Sequence, residues 1–276
     1  MTNTPAAIAL DIDGTLIGSD KRIPAFTRSE IQRAVDEYGA RVFFVTARGP
    51  QSTAVIEEHL GVAGSYATFG GSLVWARTSD GAFETLSETS LDDDIVRGIL
   101  AAAADAPVHK GIYTHETWYV SALDYWGLRE ARNTAVWPEV APIDATLVDA
   151  IGPVYKIMFR GEPADLAILA DALAPFADRA YAHFAGRVLE IVSASAVKLP
   201  ALETLSAHFG IAMADVLAFG DTSADVGMLE AAGRGVLMGN AVVDAAPHVE
   251  RTLTNDEDGV GMIVRKYFPT GRPFRP

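Results

Sequence analysis

The chain has 276 residues, of which 49% are hydrophobic and 21% charged, and its formal net charge at pH 7 is −14. This charge argues against a nucleic-acid partner, because phosphate backbones are bound by basic patches. The absence of cysteine excludes disulfides, thiolate nucleophiles and zinc–thiolate sites. No run approaches the ~18 apolar residues of a membrane span, and residues 1–7 lack the basic start of a signal peptide. We therefore expect a cytoplasmic protein with no membrane partner.

The first predicted element is a short apolar strand that ends in two carboxylates. Residues 8–10 have the pattern of a strand buried on both faces, and Asp11, Asp13 and Gly14 follow directly. In an open α/β sheet, ligands bind at the edge formed by the carboxyl ends of the strands. Two carboxylates this close repel each other, so the site requires a shared proton or a divalent cation.

A helix, a second strand and a second helix come next. Residues 27–30 (Thr-Arg-Ser-Glu) match a capping box, and the helix that they predict ends at Gly39. The buried strand 42–45 leads into Thr46, and Pro50 begins another helix. Alternating strands and helices with short connections predict a parallel sheet. Thr46 then lies on the same edge as the two aspartates, where it either caps the next turn or contacts a ligand.

The sequence changes character in its middle third. Strand patterns occur at 111–114, 117–121, 154–159, 180–184 and 187–192. Neighbouring strands with separate helices are typical of an antiparallel α+β unit. A structureless loop of this length is implausible, so we predict an inserted domain. The predicted division is a core from residues 1–83, an inserted domain from 84–189 and a second part of the core from 190–276.

Charged residues mark the return of the chain to the core. Lys198 begins a helix, where a positive charge is unfavourable against the helix dipole unless an anion offsets it. The buried strand 216–219 ends in Gly220-Asp221, and Asp225 follows shortly after. Lys198 and Asp221 are therefore expected at the same sheet edge as Asp11, Asp13 and Thr46. Oxygen ligands without histidine or cysteine suit Mg²⁺ rather than zinc.

Four segments, in this order along the chain, resemble the signatures of the haloacid-dehalogenase-like (HAD) phosphatase superfamily. They are Asp11–Leu16, Thr46–Arg48, the surroundings of Lys198, and Gly220–Leu229. Two further segments, Met238–Ala241 and Asn255–Val260, resemble the Cof-type, sugar-phosphatase-like members. The resemblance implies an α/β fold with a Rossmann-like parallel-sheet core and an inserted type-2 (C2B) cap. The chain departs from the Cof-type pattern at Gly70 and Ala224, where asparagine is usual.

The resemblance also implies catalytic and metal-binding roles. Asp11 would be the nucleophile that forms an aspartyl-phosphate, and Asp13 the general acid and then the general base. Mg²⁺ would be bound by the side chains of Asp11 and Asp221 and by the backbone carbonyl of Asp13. Asp225 would support these ligands without binding the metal itself.

The same comparison implies how the substrate is held. Thr46 would hydrogen-bond the transferring phosphoryl group, and Arg48 would help to hold the substrate. Lys198, which is also counted with the catalytic residues, would neutralise charge on the phosphoryl oxygens together with the metal. The cap would close over the site and select the leaving group.

These patterns leave three functions open. The first is a Mg²⁺-dependent phosphatase acting on a small phosphorylated metabolite such as a sugar phosphate. The second is a phosphohexomutase of the phosphomannomutase type. The third is a non-catalytic sugar-phosphate-binding protein, suggested by the missing asparagines at Gly70 and Ala224. The sequence is compatible with a monomer or a homodimer.

Overall fold

The computed structural model describes residues 4–271. Residues 1–3, and residues 272–276 of the predicted second part of the core, lie outside the described range. The described chain divides into two compact units. The first comprises residues 4–47, 56–87 and 197–271, and the second comprises residues 48–55 and 88–196. Within the described range, no helix is long and apolar enough to cross a membrane.

The first part of the chain alternates strands with helices, as its apolar runs predict. Its elements are β1 (Ala7–Leu10), α1 (Ala25–Tyr38), β2 (Arg41–Val45), α2 (Pro50–Leu60), β3 (Gly64–Thr68), β4 (Leu73–Arg77) and β5 (Phe83–Glu88). Gly39 ends α1 in the left-handed conformation, at φ 69°, which glycine adopts without steric cost. β3 pairs parallel to β2, whereas β4 pairs antiparallel to β3.

The middle of the chain forms the mixed unit that its strand patterns predict. Its elements are α3 (Asp93–Ala102), β6 (His109–Tyr113), β7 (Trp118–Val120), α4 (Tyr125–Thr134), β8 (Glu139–Val140), α5 (Ala145–Ala150), β9 (Lys156–Arg160), α6 (Pro163–Ala172), β10 (Ala180–Ala185) and β11 (Val188–Ser193). The strands form one sheet in the order β10-β11-β9-β6-β7-β8, and the pairs are antiparallel except β7–β8. Apolar side chains of α3 and α6 pack with those of the sheet in a common core that includes Ile95, Leu166 and Ile191.

The last part of the chain completes the first unit. Its elements are α7 (Lys198–His208), β12 (Val216–Gly220), α8 (Ser223–Ala231), β13 (Arg234–Leu237), β14 (Glu250–Arg251) and α9 (Gly259–Tyr267). The eight strands of this unit lie in the order β14-β13-β12-β1-β2-β3-β4-β5. β1 therefore lies between β12 and β2, parallel to both.

Both faces of this sheet are covered by helices. Ile8 belongs to the apolar cluster that contains residues of α1 and α9, whereas Ala9 belongs to the cluster that contains residues of α7 and α8. This alternation follows from the two-residue period of a strand, and it explains why β1 is apolar throughout. The result is the α/β fold with a Rossmann-like parallel core that the sequence predicts.

The predicted domain boundaries fall inside strands of the structure. The boundary at 83/84 lies within β5, most of whose residues are exposed or half-buried, so that its sequence carries little apolar signal. The boundary at 189/190 lies within β11, which pairs with β10 through Ser193. The two compact units divide at 87/88 and 196/197, and residues 48–55 group with the second unit.

Candidate active site

Three neighbouring parallel strands deliver side chains to one edge of the first sheet. Leu10 of β1 is level with Phe219 of β12 and Phe44 of β2. The residues that follow these strands therefore come together, and the amide of Asp11 donates to the carbonyl of Phe219 at 3.1 Å. Thr46, which follows β2, is buried at the same edge.

Three aspartates at this edge form a cluster of carboxylates. Asp11, Asp221 and Asp225 each offer a carboxylate oxygen, and these oxygens lie within 4.8 Å of one another. Lys198, the first residue of α7, donates through Nζ to Oδ1 of Asp11 at 2.6 Å and to Oδ1 of Asp225 at 2.7 Å. Asp11, Asp225 and Lys198 are each at most 5% exposed. These carboxylates are the anions that a lysine at a helix N-terminus requires.

Asp225 fixes the start of α8 as well as the lysine. Its Oδ2 accepts hydrogen bonds from the amide and hydroxyl of Thr222 and from the amide of Asp221. Thr222 and Asp225 together form a capping box at the start of the helix. The close packing requires glycine at position 220, because a Cβ there would lie 2.3 Å from Cβ of Asp225. Both oxygens of Asp225 are thus hydrogen-bonded within the protein, which leaves Asp11 and Asp221 as the more available metal ligands.

The loop after β1 packs directly against Asp221. Thr15 is almost fully buried and donates through Oγ1 to Oδ1 of Asp221 at 3.1 Å. Gly14 has φ +81°, and a Cβ there would lie 2.2 Å from Oδ2 of Asp221. Only glycine permits this approach, so the Asp-Gly-Thr sequence is needed for the shape of the site. The first motif contains Gly14 and Thr15, but sequence reasoning gave neither of them a role.

The electrostatics of the cluster favour a cation. The pKa of Asp11 is raised to about 8, because burial and, to a smaller extent, the charges of Asp225 and Asp221 together outweigh the opposing effect of Lys198. Burial and the charge of Asp225 also raise the pKa of Asp221, against the hydrogen bond from Thr15. Burial would lower the pKa of Lys198, but the charges of Asp11 and Asp225 outweigh it and raise the pKa, so this lysine stays protonated. The cluster therefore contains three carboxylates, and one ammonium group is hydrogen-bonded to two of them.

The remaining predicted site residues have different surroundings. Asp13 is half-exposed, and its Oδ1 accepts from Nζ of Lys21 at 2.9 Å, a partner that the sequence gave no signal for. The amide of Thr46 donates to the carbonyl of Ala67 at 2.9 Å. Arg48 belongs to the second unit, where Nη1 donates to Oγ of Ser52 at 2.9 Å. The structure thus groups Asp11, Lys198, Asp221 and Asp225 by direct contact or proximity and places Asp13 and Thr46 on adjoining strand ends.

The two departures from the Cof-type pattern have different local settings. Gly70 adopts the left-handed conformation, at φ 71° and ψ 13°, and its amide donates to the carbonyl of Thr46. Glycine and asparagine are the residues that tolerate this conformation best, so the backbone here accepts either. Ala224 is exposed in the first turn of α8.

Comparisons with known proteins show the family of this chain. The family model described as haloacid dehalogenase-like hydrolase matches residues 8–264. The chain belongs to the haloacid dehalogenase-like hydrolase family. It is 28% identical to 5-amino-6-(5-phospho-D-ribitylamino)uracil phosphatase YitU of Bacillus subtilis, over 97% of this chain and 99% of that protein. It is 30% identical to an HMP-PP phosphatase of Yersinia enterocolitica, over 85% of this chain and 84% of that protein.

A solved structure shows the same fold. A haloacid dehalogenase-like hydrolase from Bacteroides thetaiotaomicron superposes with a TM-score of 0.85 and 24% identity, covering 95% of this chain and 99% of that one. The family resemblance drawn from the motifs is therefore confirmed, and the protein is an enzyme of the phosphatase type.

Proposed function

We propose that the protein is a Mg²⁺-dependent phosphatase that hydrolyses a small phosphomonoester through a phosphorylated Asp11. The observation that supports this most strongly is the cluster of three carboxylates, two of which are buried and paired with a single lysine. Buried negative charge in excess requires a bound cation or a proton, and carboxylate oxygens are ligands that suit Mg²⁺. Asp11, Asp221 and the backbone carbonyl of Asp13 would hold the ion, which would neutralise charge on the phosphoryl oxygens.

The reaction would use two aspartates in two steps. In the first step, a carboxylate oxygen of Asp11 attacks phosphorus, the bond from phosphorus to the leaving oxygen breaks, and Asp13 gives its proton to that oxygen. In the second step, Asp13 takes a proton from water, whose oxygen attacks phosphorus. The bond to Asp11 then breaks and inorganic phosphate leaves, which restores both carboxyl groups.

Three further side chains would hold the phosphoryl group. Lys198 donates to two carboxylates in the described part of the chain, and an ammonium group has three donors. Its third N–H would be used for a phosphoryl oxygen. Thr46 would supply a hydroxyl donor at the end of β2, and Arg48 would help to hold the substrate. The inserted segment would be a type-2 cap.

The substrate would be a small phosphorylated metabolite, such as a sugar phosphate. Two similar proteins are named as phosphatases of 5-amino-6-(5-phospho-D-ribitylamino)uracil and of HMP-PP. A formal charge of −14 disfavours nucleic acid, whereas one cation and one lysine are enough to hold a single phosphoryl group.

The test is phosphate release from a panel of sugar phosphates, polyol phosphates and nucleotides, with Mg²⁺ and with a chelator. We expect Mg²⁺-dependent release that falls at least about 10³-fold in Asp11→Asn, because the nucleophile is lost. Asp36→Asn, an exposed aspartate in α1, is the matched control and should be as active as the parent. Interconversion of hexose 1- and 6-phosphates without phosphate release would replace this proposal with a mutase, and ligand binding without turnover would replace it with a binding protein.

A further inference from the structure

Two asparagines from separate segments hold the loop that follows β1. Nδ2 of Asn240 donates to the carbonyl of Gly14 at 2.8 Å, and Nδ2 of Asn255 donates to the carbonyl of Ile17 at 2.8 Å. Asn240 follows β13, and Asn255 begins the short 3₁₀ turn before α9. We call this pair the asparagine clamp. Both residues lie in the segments that resemble Cof-type members, and neither has a role in the reaction described above.

The clamp residues are also joined to each other. The amide of Asn255 donates to Oδ1 of Asn240 at 3.1 Å. The side chain of Asn240 therefore accepts on its oxygen and donates from its nitrogen, which only one orientation of the amide allows. A capping box between Thr254 and Glu257 stabilises the 3₁₀ turn that carries Asn255. The two asparagines are thus hydrogen-bonded to each other as well as to the loop, and they are not two independent surface contacts.

Apart from the clamp, the loop is restrained through its amides, because those of Thr15 and Ile17 donate to the carbonyl of Ile12 at 3.3 and 3.1 Å. Gly14, at φ +81°, has more conformational freedom than any other residue type would have there. The peptide group between Gly14 and Thr15 could rotate about this glycine, and Thr15 would rotate with it. That rotation would take the hydroxyl of Thr15 away from Oδ1 of Asp221, to which it donates. The donor from Asn240 fixes the Gly14 carbonyl and so opposes the rotation.

We propose that Asn240 and Asn255 are positioning residues for the metal site. They hold the Gly14–Ile17 loop so that Thr15 orients the carboxylate of Asp221 and the backbone after Asp13 keeps one conformation. This inference rests on the proposed function, because the metal site belongs to it. Groups behind the direct ligands of a metal commonly change metal affinity or activity by about 10–100-fold when they are removed.

The test compares Asn240→Ala, Asn255→Ala and the double variant with the parent. Asn133→Ala, in α4 of the second unit, is the matched amide control. Mg²⁺ binding to the full chain is measured by calorimetry without substrate, and hydrogen exchange is followed at the amides of residues 15–17. We expect the Kd for Mg²⁺ to rise about tenfold in each single variant, with less than the product of the two effects in the double variant. Exchange should accelerate at residues 15–17 and stay unchanged in β1.

Parent-like metal affinity and exchange in the single variants would overturn the proposal, as would an equal effect of Asn133→Ala. Asn240→Asp keeps the shape of the side chain and removes the N–H donor, so it carries the exchange test if the alanine variant does not fold. Unchanged hydrogen exchange at residues 15–17 in Asn240→Asp would also overturn the proposal. A parent protein that releases no phosphate overturns the proposed function, whereas the binding and exchange measurements use no substrate and still judge the clamp.

Discussion

Lys198 is the residue on which the local charge balance depends. Its ammonium group is the sole cation in direct contact with Asp11 and Asp225 in the described part of the chain. Burial makes each unpaired carboxylate costly, so the lysine stabilises the fold of the site while it leaves an excess of negative charge. The residues that would bind a metal are therefore strained electrostatically when no metal is bound.

Above the raised pKa of Asp11, replacing Lys198 with methionine should destabilise the metal-free protein by about 3–5 kcal/mol, because two buried carboxylates then lose their partner. The loss should be smaller at low pH, where the carboxylates are protonated, and in the presence of Mg²⁺. Urea unfolding at several pH values, with and without Mg²⁺, measures both effects. Lys266→Met removes an exposed ion pair with Glu250 and should cost about 1 kcal/mol or less. Equal losses in the two variants would contradict this account of Lys198.

The raised pKa of Asp11, about 8, has consequences for pH dependence in the metal-free protein. Between its ordinary value of 3.8 and about 8, the folded state holds a proton that the unfolded state has lost, so stability falls as pH rises through this window. Asp11→Asn should remove this part of the slope. Because a metal requires the ionised carboxylate, Mg²⁺ affinity should weaken by up to about tenfold for each pH unit below this pKa. Calorimetric titrations across the window test this, and an affinity that does not change with pH contradicts it.

The sequence predicts these titrating residues but not their partners. Asp11, Lys198 and Asp221 each stand at the end of an apolar run or the start of a helix, and this is enough to place them on one sheet edge. Thr15 and Asn240 act through loop conformations, which depend on backbone angles and on contacts between residues more than 200 positions apart. No local pattern carries that information.

At the scale of elements, the start of α1 shows how a distant residue overrides a local motif. The predicted capping box at residues 27–30 is wrong, since α1 begins at Ala25 and no side chain caps it. The amide and hydroxyl of Thr27 both donate instead to Oδ1 of Asp258, just before α9. The end of the same helix was predictable, because Gly39 is a local signal that needs no distant partner.

The helix α4 was not predicted, although its start carries a local signal. The side chain of Asp124 caps it by accepting from the amides of Trp126 and Gly127. Its side chains include large apolar groups that are exposed, Tyr125 at 66% and Leu128 at 48%.

An ion network joins α1 to α9, and it gives a stability prediction at this scale. Glu30, in α1, accepts from Arg33 at 2.7 Å and from Arg265 of α9 at 2.6 Å. Burial would raise the pKa of Glu30, but the hydrogen bonds from Arg265 and Arg33 outweigh it and lower the pKa. The stabilisation is therefore present above the ordinary pKa of the carboxyl group and is lost as pH falls through the lowered value.

Replacing Glu30 with glutamine should reduce the free energy of unfolding by about 1–3 kcal/mol at neutral pH, because charged hydrogen bonds are lost. The difference from the parent should vanish in strong acid. Glu37→Gln, which removes an exposed pair with Arg33 in the same helix, is the control and should cost about 0.5 kcal/mol or less. Thermal or urea unfolding measures both, and a loss in Glu30→Gln no larger than in the control would contradict the proposed role.

At the scale of the whole molecule, the site is assembled from both ends of the chain. Asp11 comes from the first strand, whereas Lys198 and Asp221 come from segments beyond the second unit. A parallel sheet explains this, because strands that are distant in sequence can be neighbours, as β1 and β12 are. The order of the motifs predicted that these segments would meet, because each motif follows a strand or begins a helix of the same parallel sheet.

The most direct measurement of the central claim is mass spectrometry of the enzyme quenched in acid during turnover with Mg²⁺ and an active phosphomonoester. The account predicts one added phosphoryl group on the peptide that contains Asp11, in the parent and in Asp36→Asn, and none in Asp11→Asn. A fully active parent whose Asp11 peptide never carries phosphate, or an Asp11→Asn protein that turns over as fast as the parent, would contradict it.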